Sequence, residues 1–266
     1  MEKSLFKKTI IFTLIVFFSC HNKEHNSEKI VDVNYEIIDS NINYPVFLQK
    51  LVKFYGKHFK VLDSNNIVWI NGDTIELQTN PSKTSNELFN NPDIKDQFNT
   101  KYPTGKVIIP KDSCFDPGRI RNEDFFCRMY GYSKDEVYDN LDTLNWMGKQ
   151  VIKVSKINGC IDSLKKINKE VMLLSDSIKE FLNPSAGCFN FRIIAGTERL
   201  SCHSFGIAID INVKYSNYWR WNKGPYKYRN KIPYNIVEIF EKYGFIWGGN
   251  WYYYDTMHFE FRPELI

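Results

Sequence analysis

The sequence predicts an α+β fold, in which a small, mostly antiparallel sheet has helices packed on one of its faces. Two observations point there. Near the C-terminus Ile207, Ile209, Ile211 and Val213 alternate with Ala208, Asp210 and Asn212, and Met257, Phe259 and Phe261 alternate with His258, Glu260 and Arg262, the period-two pattern of strands. Elsewhere apolar residues recur at three- and four-residue steps between Pro and Gly punctuation, the pattern of amphipathic helices.

In chain order, Tyr44-Pro45 starts a helix whose apolar positions are Val46, Phe47, Leu51 and Phe54 and which ends at Gly56. Asn71-Gly72, between Ile67–Ile70 and Thr74–Leu77, predicts a tight hairpin. Residues 78–92 are polar and rich in Asn, Ser and Thr and read as a loop. Glu123 to Tyr130 predicts a short helix ended by Gly131, and Gln150 to Ile157 a strand. Leu164, Ile167, Val171, Leu174, Ile178 and Phe181 predict one long helix from Ile161 to Leu182, stopped by Pro184, whose stripe is core and not a cofactor box. Pro233 sits in the first turn of another helix, where its missing N–H costs nothing, and Gly244 ends it. Its face of Ile236, Ile239, Phe240 and Tyr243 is expected behind the C-terminal strands, and Gly248-Gly249 turns the chain into the last of them. No internal repeat interrupts this order.

The N-terminus reads as an export signal. Lys3, Lys7 and Lys8 precede an apolar run, Thr9 to Phe18, too short to span a bilayer, and Phe18-Ser19-Cys20 resembles a lipoprotein cleavage box. The expectation is a lipoprotein signal peptide over 1–19 and a lipidated Cys20 with a tether reaching residue 43. The protein would then be exported to the cell envelope and anchored to a membrane by acyl chains. The net charge of +4 is spread along the chain without a basic stripe, which argues against a nucleic-acid partner. Sixteen Tyr and six Trp suit either a cleft for peptide or sugar, or core packing. After Cys20 come Cys114, Cys127, Cys160, Cys188 and Cys202, an odd set that cannot pair completely. Cys188 and Cys202 either form a bridge that pins the intervening segment or stay as packed free thiols.

The chemistry concentrates in Ser201 to Asp210 and Asp255 to Glu260. Asp210 and His258 fall on the polar sides of their strands, and His203 can reach them from the preceding loop. Two imidazoles and a carboxylate make the three-ligand set of a hydrolytic zinc site, which keeps one coordination position open. Asp255, three residues before His258, offers a carboxylate that can serve as base without being a ligand. A His–Asp pair alone would be weak. The chain has only five histidines, two of them just after Cys20, so the concentration of two others here strengthens the reading.

Ser-x-His-x-x-Gly-x-Ala-x-Asp at Ser201 to Asp210, followed by Asp-x-x-His at Asp255 to His258, resembles the M15 metallopeptidases, a group of D-alanyl-D-alanine carboxypeptidases that cut peptidoglycan stem peptides. Phe191 to Thr197, Gly244 to Trp251 and Asp116 to Arg121 resemble its VanY-like branch. The resemblance covers roughly 45–266. It implies a Hedgehog/DD-peptidase-like fold, an N-terminal part of the catalytic region over 44–180 and a zinc peptidase core over 181–266. It also implies that His203, Asp210 and His258 bind zinc, that Asp255 is the general acid/base and that Arg192 faces the substrate carbonyl or carboxylate. Without it, Arg192 would read as an ordinary surface ion-pair residue. Many relatives carry Glu where this chain has Asp255, which leaves open whether the bond cut is D-Ala-D-Ala or L-Ala-D-Glu. The implied function is a zinc-dependent peptidoglycan peptidase; the alternative is a non-catalytic zinc- or wall-binding module on the same fold.

Overall fold

The computed structural model describes residues 44–105, 109, 113 and 115–266; the expected signal peptide, tether and lipidated Cys20, and also Cys114, lie outside the described residues. Among the described residues no helix is long and apolar enough to cross a membrane. The first element, α1 (Val46–Tyr55), forms where the spacing predicts it, but its buried face is Phe47, Leu48, Leu51 and Tyr55. Val46 is 68% exposed, because the stripe is rotated toward Leu48 and Tyr55. The predicted hairpin is present as β2 (Asn66–Trp69) and β3 (Thr74–Glu76), and β1 (Phe59–Val61) adds a third antiparallel strand the sequence did not mark.

The expected loop at 78–92 contains α2 (Ser85–Asn90). Thr84 caps it and Glu87 reaches back to the Thr84 N–H at 2.8 Å, so the polar residues there satisfy a helix start. Next come α3 (Ile94–Asn99), α4 (Glu123–Tyr130) and α5 (Lys134–Asp139). The Asn122 side chain caps α4 by accepting the Phe125 N–H at 2.8 Å. A second hairpin joins β4 (Leu141–Trp146) to β5 (Gln150–Ser155), of which only β5 was legible. The single helix predicted over 161–182 is two, α6 (Cys160–Val171) and the short α7 (Asp176–Lys179). Helix α6 ends at Val171 in a turn that includes Leu173, which is 86% exposed, and the chain restarts at Ser175-Asp176, a helix-start pair.

The C-terminal sheet has the order β6-β8-β7, built from β6 (Ala208–Asp210), β7 (Phe245–Trp247) and β8 (His258–Phe261), all antiparallel. Strand β6 is shorter than the alternation suggested: Val213 has left it for a 3₁₀ turn and is 41% exposed. Helix α8 (Tyr234–Lys242) packs behind the sheet, with the Phe240 ring 4.0 Å from that of Phe259. Pro233 stands one position earlier than expected, as the residue flanking α8. One continuous apolar core runs from Phe47 in α1 through Phe126, Trp146 and Leu164 to Phe259 in β8. As a result β8 has no solvent face, and Glu260 and Arg262 on its polar side are 2% and 0% exposed.

Candidate metal centre

The antiparallel register places Asp210 of β6 directly opposite His258 of β8, so two of the candidate ligands share one rung of the ladder. His203 comes from the 3₁₀ turn Cys202–Phe205, whose start is capped by Ser201 accepting the His203 N–H at 3.3 Å. Gly206 ends the turn in the left-handed region at φ +66°. A Cβ there would lie 2.5 Å from the Leu141 side chain and 3.2 Å from the Ser155 nitrogen, so the position serves the contact with the β4–β5 hairpin.

Three donor atoms converge. Asp210 Oδ1 is 3.1 Å from His203 Nε2 and 3.0 Å from His258 Nδ1, and the two nitrogens are 3.2 Å apart. These separations are close to the edge, about 3.3 Å, of a tetrahedron with ligand bonds of roughly 2.0 Å. The outward ring nitrogens are both engaged. His203 Nδ1 lies 2.7 Å from the Cys188 carbonyl and His258 Nε2 lies 3.1 Å from Glu260 Oε2, acceptors that hold a proton on each outer nitrogen. That tautomer turns the other lone pair inward on each ring, the arrangement by which a histidine is oriented toward a metal. The residues present therefore fit zinc in number, type and spacing.

The electrostatics point the same way. Burial opposes ionisation of Asp210, but His203 and His258 outweigh it and hold the carboxyl well below the usual range. Burial also opposes a charge on His258, yet the Asp210 and Glu260 carboxylates on either side raise its pKa to about 10. A cation bound by these ligands would therefore compete with a proton on His258.

Asp255 lines the same cleft, which has a volume of about 280 Å³ and also includes Arg192, Arg119, Asp116, Tyr218, Trp219 and Trp251. The Asp255 backbone is fixed by its N–H to the Gly248 carbonyl (3.0 Å) and its carbonyl to the His258 N–H (3.2 Å). Gly248 is needed for this approach, since a Cβ there would stand 2.5 Å from the Asp255 carbonyl oxygen. Burial, helped by the charge of Asp210, raises the Asp255 carboxyl to about 6 against the pull of His258. That value suits a group that must both take and return a proton near neutrality.

The structure thus brings His203, Asp210, His258, Asp255 and Arg192 to one cleft. The Arg192 side chain is exposed at the wall, and its backbone is pinned by Ser204, whose Oγ accepts the Arg192 N–H (2.8 Å) and donates to the Arg192 carbonyl (2.7 Å). A Cys188–Cys202 bridge does not form; both thiols are free and buried, and burial pushes their pKa values up. The Ser204 hydroxyl supplies the pinning that such a bridge would have given. Sequence reasoning missed Glu260 as a partner of His258, although its position two residues along the same strand face was a sufficient signal. It also gave no role to Asp116, a cleft residue 2% exposed whose carboxyl burial raises to about 8.

A family model described as D-alanyl-D-alanine carboxypeptidase, of the M15 peptidases, matches residues 195–261. The matched stretch contains His203, Asp210, Asp255, His258 and Glu260 and begins after Arg192. No curated protein and no solved structure matches the chain. The match supports a peptidase of the M15 type.

Proposed function

We propose that the protein is a zinc-dependent peptidase that hydrolyses amide bonds in peptidoglycan stem peptides, as a D-Ala-D-Ala carboxypeptidase or an L-Ala-D-Glu endopeptidase. The observation that carries the proposal is the convergence of His203 Nε2, Asp210 Oδ1 and His258 Nδ1 within 3.0 to 3.2 Å, with both outer ring nitrogens already satisfied. Zinc held by these three residues would supply Lewis acidity, polarising the scissile carbonyl and acidifying a water. Asp255, poised near pH 6 in the same cleft, takes the proton of the attacking water and returns it to the leaving amine. Arg192 presents a permanently charged, planar donor at the cleft wall, suited to a developing oxyanion or to a terminal carboxylate of the substrate.

The test uses purified peptidoglycan and two substitutions, with metal content measured in parallel. Asp255→Asn should keep its zinc while turnover falls by roughly two to four orders of magnitude, the usual worth of a positioned base. Asp210→Asn should lose zinc, because a neutral amide is a poor ligand for it. Undiminished cleavage by Asp255→Asn would refute the role given to that residue. A zinc-loaded parent that cleaves no wall fragment would favour the non-catalytic binding module. Fragment masses identify the bond, since loss of a terminal alanine and release of a whole stem peptide differ plainly.

A further inference from the structure

We infer that Arg262 and Glu264 are positioning residues for the metal centre: through them the N-terminal helices α1 and α3 fix Glu260, and Glu260 fixes the ring of His258. The inference rests on the zinc reading above and assigns a role to the N-terminal part of the chain, which contributes no ligand to that site.

The contacts form a continuous buried path. Glu260 accepts from His258 Nε2 with Oε2 (3.1 Å) and from Arg262 Nη1 with Oε1 (3.2 Å), so its two oxygens are committed in different directions. Arg262 Nε donates to Glu264 Oε1 at 2.6 Å. From there the path leaves the C-terminal segment. The Tyr55 hydroxyl at the end of α1 donates to Glu264 Oε2 (2.8 Å), and Gln97 Nε2 of α3 donates to Glu264 Oε1 (3.2 Å). The Gln97 side-chain oxygen in turn accepts the N–H of Asn122 (3.0 Å), the residue that caps α4. Arg262 cannot swing away, because its guanidinium lies 5.3 Å over the Phe126 ring and its Nη2 donates to the Ile120 carbonyl (3.4 Å).

Tyr55, Gln97, Glu260, Arg262 and Glu264 are each no more than 2% exposed. Water therefore does not replace a lost partner on this path, and a carboxylate deprived of one must turn to another or take up a proton. A buried ion triad of this kind contributes little net stability compared with well-packed apolar residues. What it does fix is orientation. The residue that holds the far side of a metal-binding histidine sets that ring's direction and tautomer, and changes there alter metal affinity by roughly ten- to a hundredfold. The sequence carries the same logic: His258, Glu260, Arg262 and Glu264 occur at every second position, and all four are buried.

The experiment compares Glu264→Gln and Tyr55→Phe with the parent in the full chain, using Glu170→Gln in the exposed pair with Lys242 as control. Three quantities are read: zinc affinity by competition with a chromophoric chelator, the visible bands of the cobalt-substituted protein, and the nitrogen chemical shifts of the His258 ring without metal. Circular dichroism reports folding. Glu264→Gln should weaken zinc binding by about tenfold or more and shift the cobalt bands. Tyr55→Phe should move all three readouts less but in the same direction, and Glu170→Gln should move none. A folded Glu264→Gln protein with parental affinity and bands would overturn the inference. If that variant does not fold, Tyr55→Phe decides on the same criteria. If the parent binds no zinc, the zinc reading fails, and the metal-free His258 shifts decide the coupling alone: unmoved shifts in the variants refute it, and moved shifts retain it.

Discussion

Replacing Asp255 with Asn should stabilise the metal-free protein at alkaline pH by about 3 kcal/mol, while removing the proposed base. The magnitude follows from the environment of the carboxyl. Asp255 titrates near 6 where an unperturbed carboxyl titrates at 3.8, chiefly because burial disfavours its charge. At 1.36 kcal/mol for each pH unit between those values, the folded state carries a cost of about 3 kcal/mol once the group is ionised. The sign is that of a raised carboxyl: the cost is absent below pH 3.8, grows through the interval and is complete above about pH 6. Asn does not ionise, and its amide oxygen can still accept the Met257 N–H that Asp255 accepts at 3.3 Å. The assay is denaturant unfolding of parent and variant after metal removal, from pH 4 to pH 8. The advantage of Asn should be about 3 kcal/mol at pH 8, about half of that near pH 5 and under about 1 kcal/mol at pH 4. Bound zinc should shrink it, because a dication nearby favours the carboxylate. Equal or lower stability of Asn at pH 8 would refute the reasoning and show that the fold welcomes the charge.

Two further outcomes follow from packing. Gly248→Ala should cost about 1 to 3 kcal/mol on denaturant unfolding, since the new methyl would lie 2.5 Å from the Asp255 carbonyl oxygen and 3.3 Å from the His258 Cβ; an unchanged midpoint would show that this turn yields freely. Peptide mapping after brief treatment with a thiol reagent should find Cys188 and Cys202 unmodified in the native protein and fully modified in denaturant, because both thiols are free and buried; a bridged pair in the map would contradict the structure.

The centre was legible because its information is local. Alternation alone separates Asp210 and His258 from their apolar neighbours, and an antiparallel pairing then sets them face to face. Glu260 lay within reach of the same alternation, and its burial follows from β8 being covered on both sides. The break between α6 and α7 escaped because Leu174, Ile178 and Phe181 keep the helical spacing and still pack against the core after the helix has ended. Ser175-Asp176 was the contrary signal. Helix α2 carried its own signature, Thr84 followed by Glu87, which the surrounding Asn and Ser obscured. Strand β4 depends on its partner: only Leu144 and Trp146 of its six residues are buried, too few to show a period without β5 beside them. The contacts of Tyr55 and Gln97 with Glu264, at separations of 209 and 167 residues, have no local signature.

The single rung shared by Asp210 and His258 divides the C-terminal segment into a part that evolution must copy and a part it can rewrite. Forty-eight positions separate the two residues in sequence. An insertion of one residue within β6 or β8 would turn one of these two candidate ligands to the opposite face of the sheet. An insertion in the excursion between β6 and α8, which leaves out β7, Gly248 and Asp255, keeps the rung intact and costs little, since doubling a loop adds only about 0.6 kcal/mol of closure entropy. Tyr218, Trp219 and Arg220, which border the cleft, lie on that excursion. New specificities can therefore be tried in the connector, by lengthening or recomposing it, without retuning the ladder that holds the candidate metal ligands.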